Sequence, residues 1–151
     1  MKKTGLRALS ITFLSIALLF VSCGNKISSA EDLVNAISKA KSMEEIEKCI
    51  TSISFDKRIE YQKEIGKVII NDQQGNNEYT TKACLAYCHI VFKNADDNVY
   101  GDLSDSQKNM VLNIDKTDIP IRTAAAKILG SDRIVQIVQE AYSYYGLQLL
   151  R

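Results

Sequence analysis

The chain has no tryptophan, one proline and seven glycines in 151 residues. An all-β domain needs turn residues every 8–12 positions or so, and this supply is too thin for one. The single histidine, His89, leaves neither a multi-histidine metal site nor a His-based triad to be read. Neither sign of charge dominates, with 19 Lys and Arg against 18 Asp and Glu, so no electrostatic footprint for nucleic acid exists. No apolar run reaches the roughly 20 residues of a membrane-spanning helix. No repeat recurs at a fixed period.

What is present begins at the N-terminus. Lys2, Lys3 and Arg7 precede an apolar stretch from Ala8 to Val21 that only Ser10, Thr12 and Ser15 interrupt. Basic residues ahead of a short apolar run are the pattern of an export signal. The run ends at Phe20-Val21-Ser22-Cys23-Gly24.

This junction resembles the lipobox of bacterial lipoproteins, with small Ser22 before Cys23, and with Phe20 where Leu is usual. The resemblance implies cleavage between Ser22 and Cys23 and a diacylglyceryl thioether on Cys23. It also implies acylation of the freed amine, with palmitate or a similar fatty acid. Each buried CH₂ contributes about 0.8 kcal/mol, so two or three chains hold a protein firmly where one is marginal. Gly24 stands where the enterobacterial retention rule looks for Asp. The resemblance therefore implies the outer membrane, and basic Lys26 near the anchor implies a domain facing the periplasm.

The expected organisation is a signal peptide over 1–22, a tether over 23–29 and a helical domain over 30–151. Removing 22 of the 151 residues leaves 129, and the leader takes three basic residues and no acidic one, leaving a net charge of −2. One ordinary domain is the natural reading of that length. Residues 24–29 form a polar strap that reaches about 20 Å when extended.

Helical periodicity dominates the remainder. Leu33, Ala36, Ile37 and Ala40 share one face of a first helix. Ser42-Met43-Glu44-Glu45 reads as a capping box for a second, striped by Met43, Ile46, Cys49, Ile50 and Ile53. Tyr61, Ile65, Val68 and Ile69 mark a third helix over about 56–70, and Gly75 sits in a loop over 71–77. Residues 78–94 are the most apolar helix. On a helical wheel Lys82, His89 and Lys93 form its narrow polar strip, opposite Cys84, Leu85, Cys88, Val91 and Phe92. That strip predicts an exposed His89 and two lysines dispensable for stability. A loop over 95–103 precedes a helix capped by Ser104 and striped by Met110, Val111 and Ile114. Pro120 opens the next helix, and a last helix buries Ile134, Val135, Val138, Ala141, Tyr142 and Tyr145. The expected fold is all-α, about seven short helices in an antiparallel bundle or a short stack of hairpins.

Few candidates for chemistry emerge. Beyond Cys23 the cysteines are Cys49, Cys84 and Cys88, an odd number that makes no disulfide framework. Whether Cys49 pairs with Cys84 or Cys88 stays open at this level. Cys84-Leu85-Ala86-Tyr87-Cys88-His89 resembles a variant of the c-type haem attachment motif, with three residues between the cysteines instead of two. Against it, both cysteines occupy core positions of a strong helix, where thiols behave as small apolar groups. Asp96-Asp97-Asn98-Val99-Tyr100-Gly101 resembles a calcium loop but has Tyr100 at the fifth position and Gln107 at the twelfth. Glu44 and Glu45 face outward, and Tyr142 and Tyr145 fall on a packing stripe that Tyr144 leaves.

Two functions follow as expectations. The first is a membrane-anchored, non-enzymatic binding or accessory lipoprotein without a cofactor, held by Cys23 to meet a protein partner in the cell envelope. The second is an envelope hydrolase or cofactor-binding protein, with Cys84, Cys88 and His89 as its haem-like motif. An exposed apolar surface favours the first, and a deep polar pocket the second.

Overall fold

A short polar side chain stands one residue before each of the first five helices and turns back to hold its free N–H groups. Ser29 accepts from the Asp32 N–H, Ser42 from Glu45, Ser54 from Lys57, Asn77 from Tyr79 and Ser104 from Gln107. Such caps stabilise a helix start by about 1 kcal/mol each. The computed structural model describes residues 26–147. The predicted signal peptide and Cys23 lie outside them.

The described residues form seven helices and no strand: α1 (Ala30–Lys39), α2 (Met43–Thr51), α3 (Phe55–Asn71), α4 (Glu78–Tyr100), α5 (Asp105–Thr117), α6 (Ile119–Leu129) and α7 (Ser131–Tyr145). The fold is an all-α bundle. No described helix is long and apolar enough to cross a membrane. The full capping box forms at Ser104 and Gln107. At α2, Glu45 instead reaches past Ser42 to the Lys41 N–H at 2.7 Å.

Helix α4 is the centre, packing against all six other helices. Leu33, Val34 and Ile37 of α1, Ile46 and Ile50 of α2, Ile65 and Ile69 of α3, and Ile90 of α4 close the main core. Each such fully buried side chain contributes roughly 1.5–3 kcal/mol. Helices α3 and α4 run antiparallel, since Arg58 near the start of one meets Asn94 and Asp97 near the end of the other. Gly66 lets α6 approach α3: a Cβ there would lie 2.7 Å from Ile121 Cδ1. Gly75 turns the α3–α4 connection at φ +65°, where L side chains are strained.

Three expectations change. Helix α4 runs to Tyr100 instead of giving way to a loop at Ala95. The Asp96, Asp97 and Asn98 run looks like a loop by composition, but its acids sit three and four residues beyond Lys93 and pair with it. In α7 the buried residues are Ile137 and Ala141, while Val135 is 52% exposed. In α5 only Val111 is buried. Helices α5 and α7 add nothing to the main core cluster, whose residues come from α1–α4 and α6.

Candidate functional site

The face of α4 that turns inward differs from the one the apolar pattern selects. Ala83, Ala86, Tyr87 and Ile90 are buried, whereas Leu85, Cys88 and Phe92 are only half-buried. Small alanines let α4 approach its neighbours closely, and dispersion rewards such packing more than side-chain hydropathy alone suggests. His89 and Lys93 of the predicted exposed strip are therefore interior: His89 is 2% and Lys93 6% exposed. Lys82 does reach solvent, pairing with Glu78.

Cys84, Cys88 and His89 do not converge. Cys84 is enclosed in the main core, and burial pushes its thiol up to about 12. Cys88 is half-buried, and desolvation raises it to about 11. Both are protonated at neutral pH and act as apolar groups. His89 feels Glu140 and Arg133 of α7, and burial lowers its pKa to about 4. Its Nδ1 meets no hydrogen-bond partner. No disulfide joins Cys49 to Cys84 or Cys88. Among the described residues no group of three or more His, Cys, Asp or Glu side chains is placed to hold a metal ion.

The calcium-like run fails on conformation. Residues 96–100 are helical, so their side chains radiate from an axis rather than wrap a cation. Gly101 has a negative φ of −91°. Its missing Cβ makes room for Asp97, whose carbonyl oxygen would lie 2.7 Å away.

Those acids belong to a different arrangement. Lys93 Nζ lies 2.7 Å from Asp96, 2.9 Å from Asp97 and 3.1 Å from Glu47. Arg58 donates to Asp97 and, at 3.2 Å, to Asn94 Oδ1. Asn94 Nδ2 donates to Gln62 Oε1 at 2.7 Å. From α7, the Tyr144 hydroxyl donates to Glu47 at 2.6 Å, and the Tyr145 ring lies 5.6 Å from Lys93 Nζ. Two cations thus face three carboxylates where α2, α3, α4 and α7 meet. Burial pulls the Lys93 ammonium down, but the hydrogen bonds it donates to Asp96, Asp97 and Glu47 outweigh that and hold its pKa above the ordinary value. Desolvation raises Glu47, and the bonds from Tyr144 and Lys93 reverse that and lower it.

Elsewhere along α4, the Tyr87 hydroxyl donates to Asp118. Arg122 Nε lies 2.9 Å from Asp118 Oδ1, an ion-pair contact off the aligned hydrogen-bond direction. Burial, then the Asp118 bond, raises the Tyr87 pKa. Polar contacts therefore join α4 to α2, α3 and α7 in one cluster, and to Asp118 and, through it, Arg122 of α6 in another.

Sequence reasoning missed Arg58, Gln62, Asn94 and Asp118. Only the Lys93, Asp96 and Asp97 spacing carried a signal. The hydrogen bonds of the four missed residues to Asn94, Asp97, Tyr87 and Gln62 span 31–39 positions of the chain. This cluster positions helices. Its cations and carboxylates pair with one another, although the buried Arg58 Nε meets no hydrogen-bond partner.

The surface offers shallow, open depressions. One, of about 450 Å³, is lined by Lys26, Ile27, Ser28, Ser52, Ile53, Ser54, Lys57 and Tyr61, where the N-terminal strap crosses the α2–α3 connection. Another, of about 590 Å³, lies between Met43 of α2 and Gln139, Glu140, Ser143 and Tyr144 of α7.

Comparison of the chain with protein-family models, curated proteins and solved structures finds no match.

Proposed function

We propose that the protein is a lipid-anchored, non-enzymatic helical binding module of the cell envelope, held by Cys23 and meeting a protein partner through its α4–α7 half. The observation that carries the anchoring is the basic N-terminus, the apolar run and the Ser22-Cys23-Gly24 junction. Support for the rest comes from an asymmetry. The exposed large apolar side chains Val99, Tyr100, Leu112, Ile119, Val135 and Tyr144 all belong to α4–α7. Such surface is where partner contacts form. For a catalytic or haem reading, the sealed Cys84 and the partnerless Nδ1 of His89 offer no support.

Labelling growing cells with a tagged fatty acid tests the anchor. The wild-type chain takes up label and shortens, and Cys23→Ala stays unlabelled at precursor length. Label persisting in that variant contradicts the proposal. The outer membrane, with the domain on its periplasmic side, is the expected location, from Gly24 and Lys26. Protease treatment of intact cells leaves a domain so placed uncut.

A further inference from the structure

We infer that the face of the domain around the strap groove, built from Lys26–Ser28 and the α2–α3 connection, rests on the phospholipid headgroups of the membrane that holds Cys23. The inference deepens the lipoprotein reading and rests on it. The first argument is chain length. Ile27 is half-buried against the main core, and Ser28 is pinned by its N–H and hydroxyl to Asp32 at 3.0 and 2.8 Å. The strap is thus part of the domain from Ile27 onward, and not the six-residue spacer its composition suggests. Four Cα steps separate Cys23 from Ile27, at most about 14 Å even when fully extended. Acyl chains that enter the bilayer at Cys23 bring this groove to the headgroup layer.

The second argument is chemical. The groove carries the Lys26 and Lys57 ammonium groups and the hydroxyls of Ser28, Ser52 and Ser54 over a floor of Ile27 and Ile53. The N-terminus of α3, with its partial positive charge, adjoins the groove through Ser54 and Lys57. Cations and hydroxyls above an apolar floor suit a layer of phosphates and glycerol above acyl chains. Glu60 pairs with Lys57 at 2.8 Å, so the groove is only weakly basic and does not recruit the domain by charge. The strap does the placing: once Cys23 is anchored, contact is intramolecular and a weak surface suffices. The unlipidated domain is expected to ignore vesicles.

The absence of tryptophan from the chain makes single-tryptophan reporters unambiguous. Ser52→Trp and Lys57→Trp place one on the groove. Leu112→Trp places one on α5, which packs on α4 and α6 while α1 packs on α2, α3 and α4. Each full chain is expressed and lipidated in bacteria, then reconstituted in vesicles of phosphatidylethanolamine and phosphatidylglycerol that carry headgroup spin labels. Loss of emission is expected for Ser52→Trp and Lys57→Trp, with Leu112→Trp unchanged. If the protein floats with vesicles but all three emit alike, the membrane-facing surface is wrong and the anchor stands. A chain that neither floats nor carries lipid on Cys23 overturns the anchor itself, and this inference with it. Should Ser52→Trp disturb folding by circular dichroism, Lys57→Trp decides the matter alone, because its side chain is exposed.

Discussion

The two halves of α4 solve burial in opposite ways. From Thr80 to Ile90 the helix is enclosed by apolar side chains, with Ala83, Cys84 and Ala86 at 0% exposure. From Lys93 to Asp97 it is enclosed by charge, and each ion is stabilised only by its partners. The first half tolerates loss of an atom, since a small cavity costs in proportion to its size. The second half does not, since removing one ion strands the others in a poorly solvated place.

The largest expected effect tests that contrast directly. Lys93→Ala leaves Glu47, Asp96 and Asp97 facing Arg58 alone, and urea melts should show a loss of about 3–5 kcal/mol, as for a broken buried pair. A loss as small as that of a surface lysine would erase the distinction between the halves.

His89 sits at the junction, buried and neutral, and makes the comparison pH-dependent. Its pKa falls from 6.5 to about 4 on folding. The unfolded chain therefore binds the proton first, and stability is lost as pH drops from 6.5 toward 4. The full linkage amounts to roughly 3 kcal/mol. Melts across that window should show the decline in wild type and a flatter profile in His89→Leu.

Tyr87→Phe removes the hydroxyl that joins the apolar half to Asp118. A buried carboxylate oxygen losing its donor costs about 1–3 kcal/mol. Cys84→Ala, wholly within the apolar half, should cost about 1–2 kcal/mol in the same assay, as a small truncation does. Lys82→Ala, which breaks only a solvent-exposed pair with Glu78, should change stability by no more than about 0.5 kcal/mol. Ranking Lys93 above Cys84 and Cys84 above Lys82 is the sharpest form of the comparison.

Much of the fold was legible before any coordinates. The caps at Ser42 and Ser104, the proline in the first turn of α6 and the stripe of α2 all stand where local pattern puts them. The misreadings share one cause. Polarity read as a mark of the outside puts Lys93 and His89 in solvent and the acids at 96 and 97 in a loop, and all four owe their real places to distant or helical neighbours.

Helix positions, caps and the lipobox-like junction are local: they depend on residues within a turn or so of one another, and sequence alone determines them. The facing of α4 is not local. Whether Lys93 is a solvated surface group or a buried ion depends on Glu47, which lies 46 positions earlier in the chain. Only the tertiary structure brings Glu47 to 3.1 Å from Lys93, where their attraction and hydrogen bond offset the cost of leaving water.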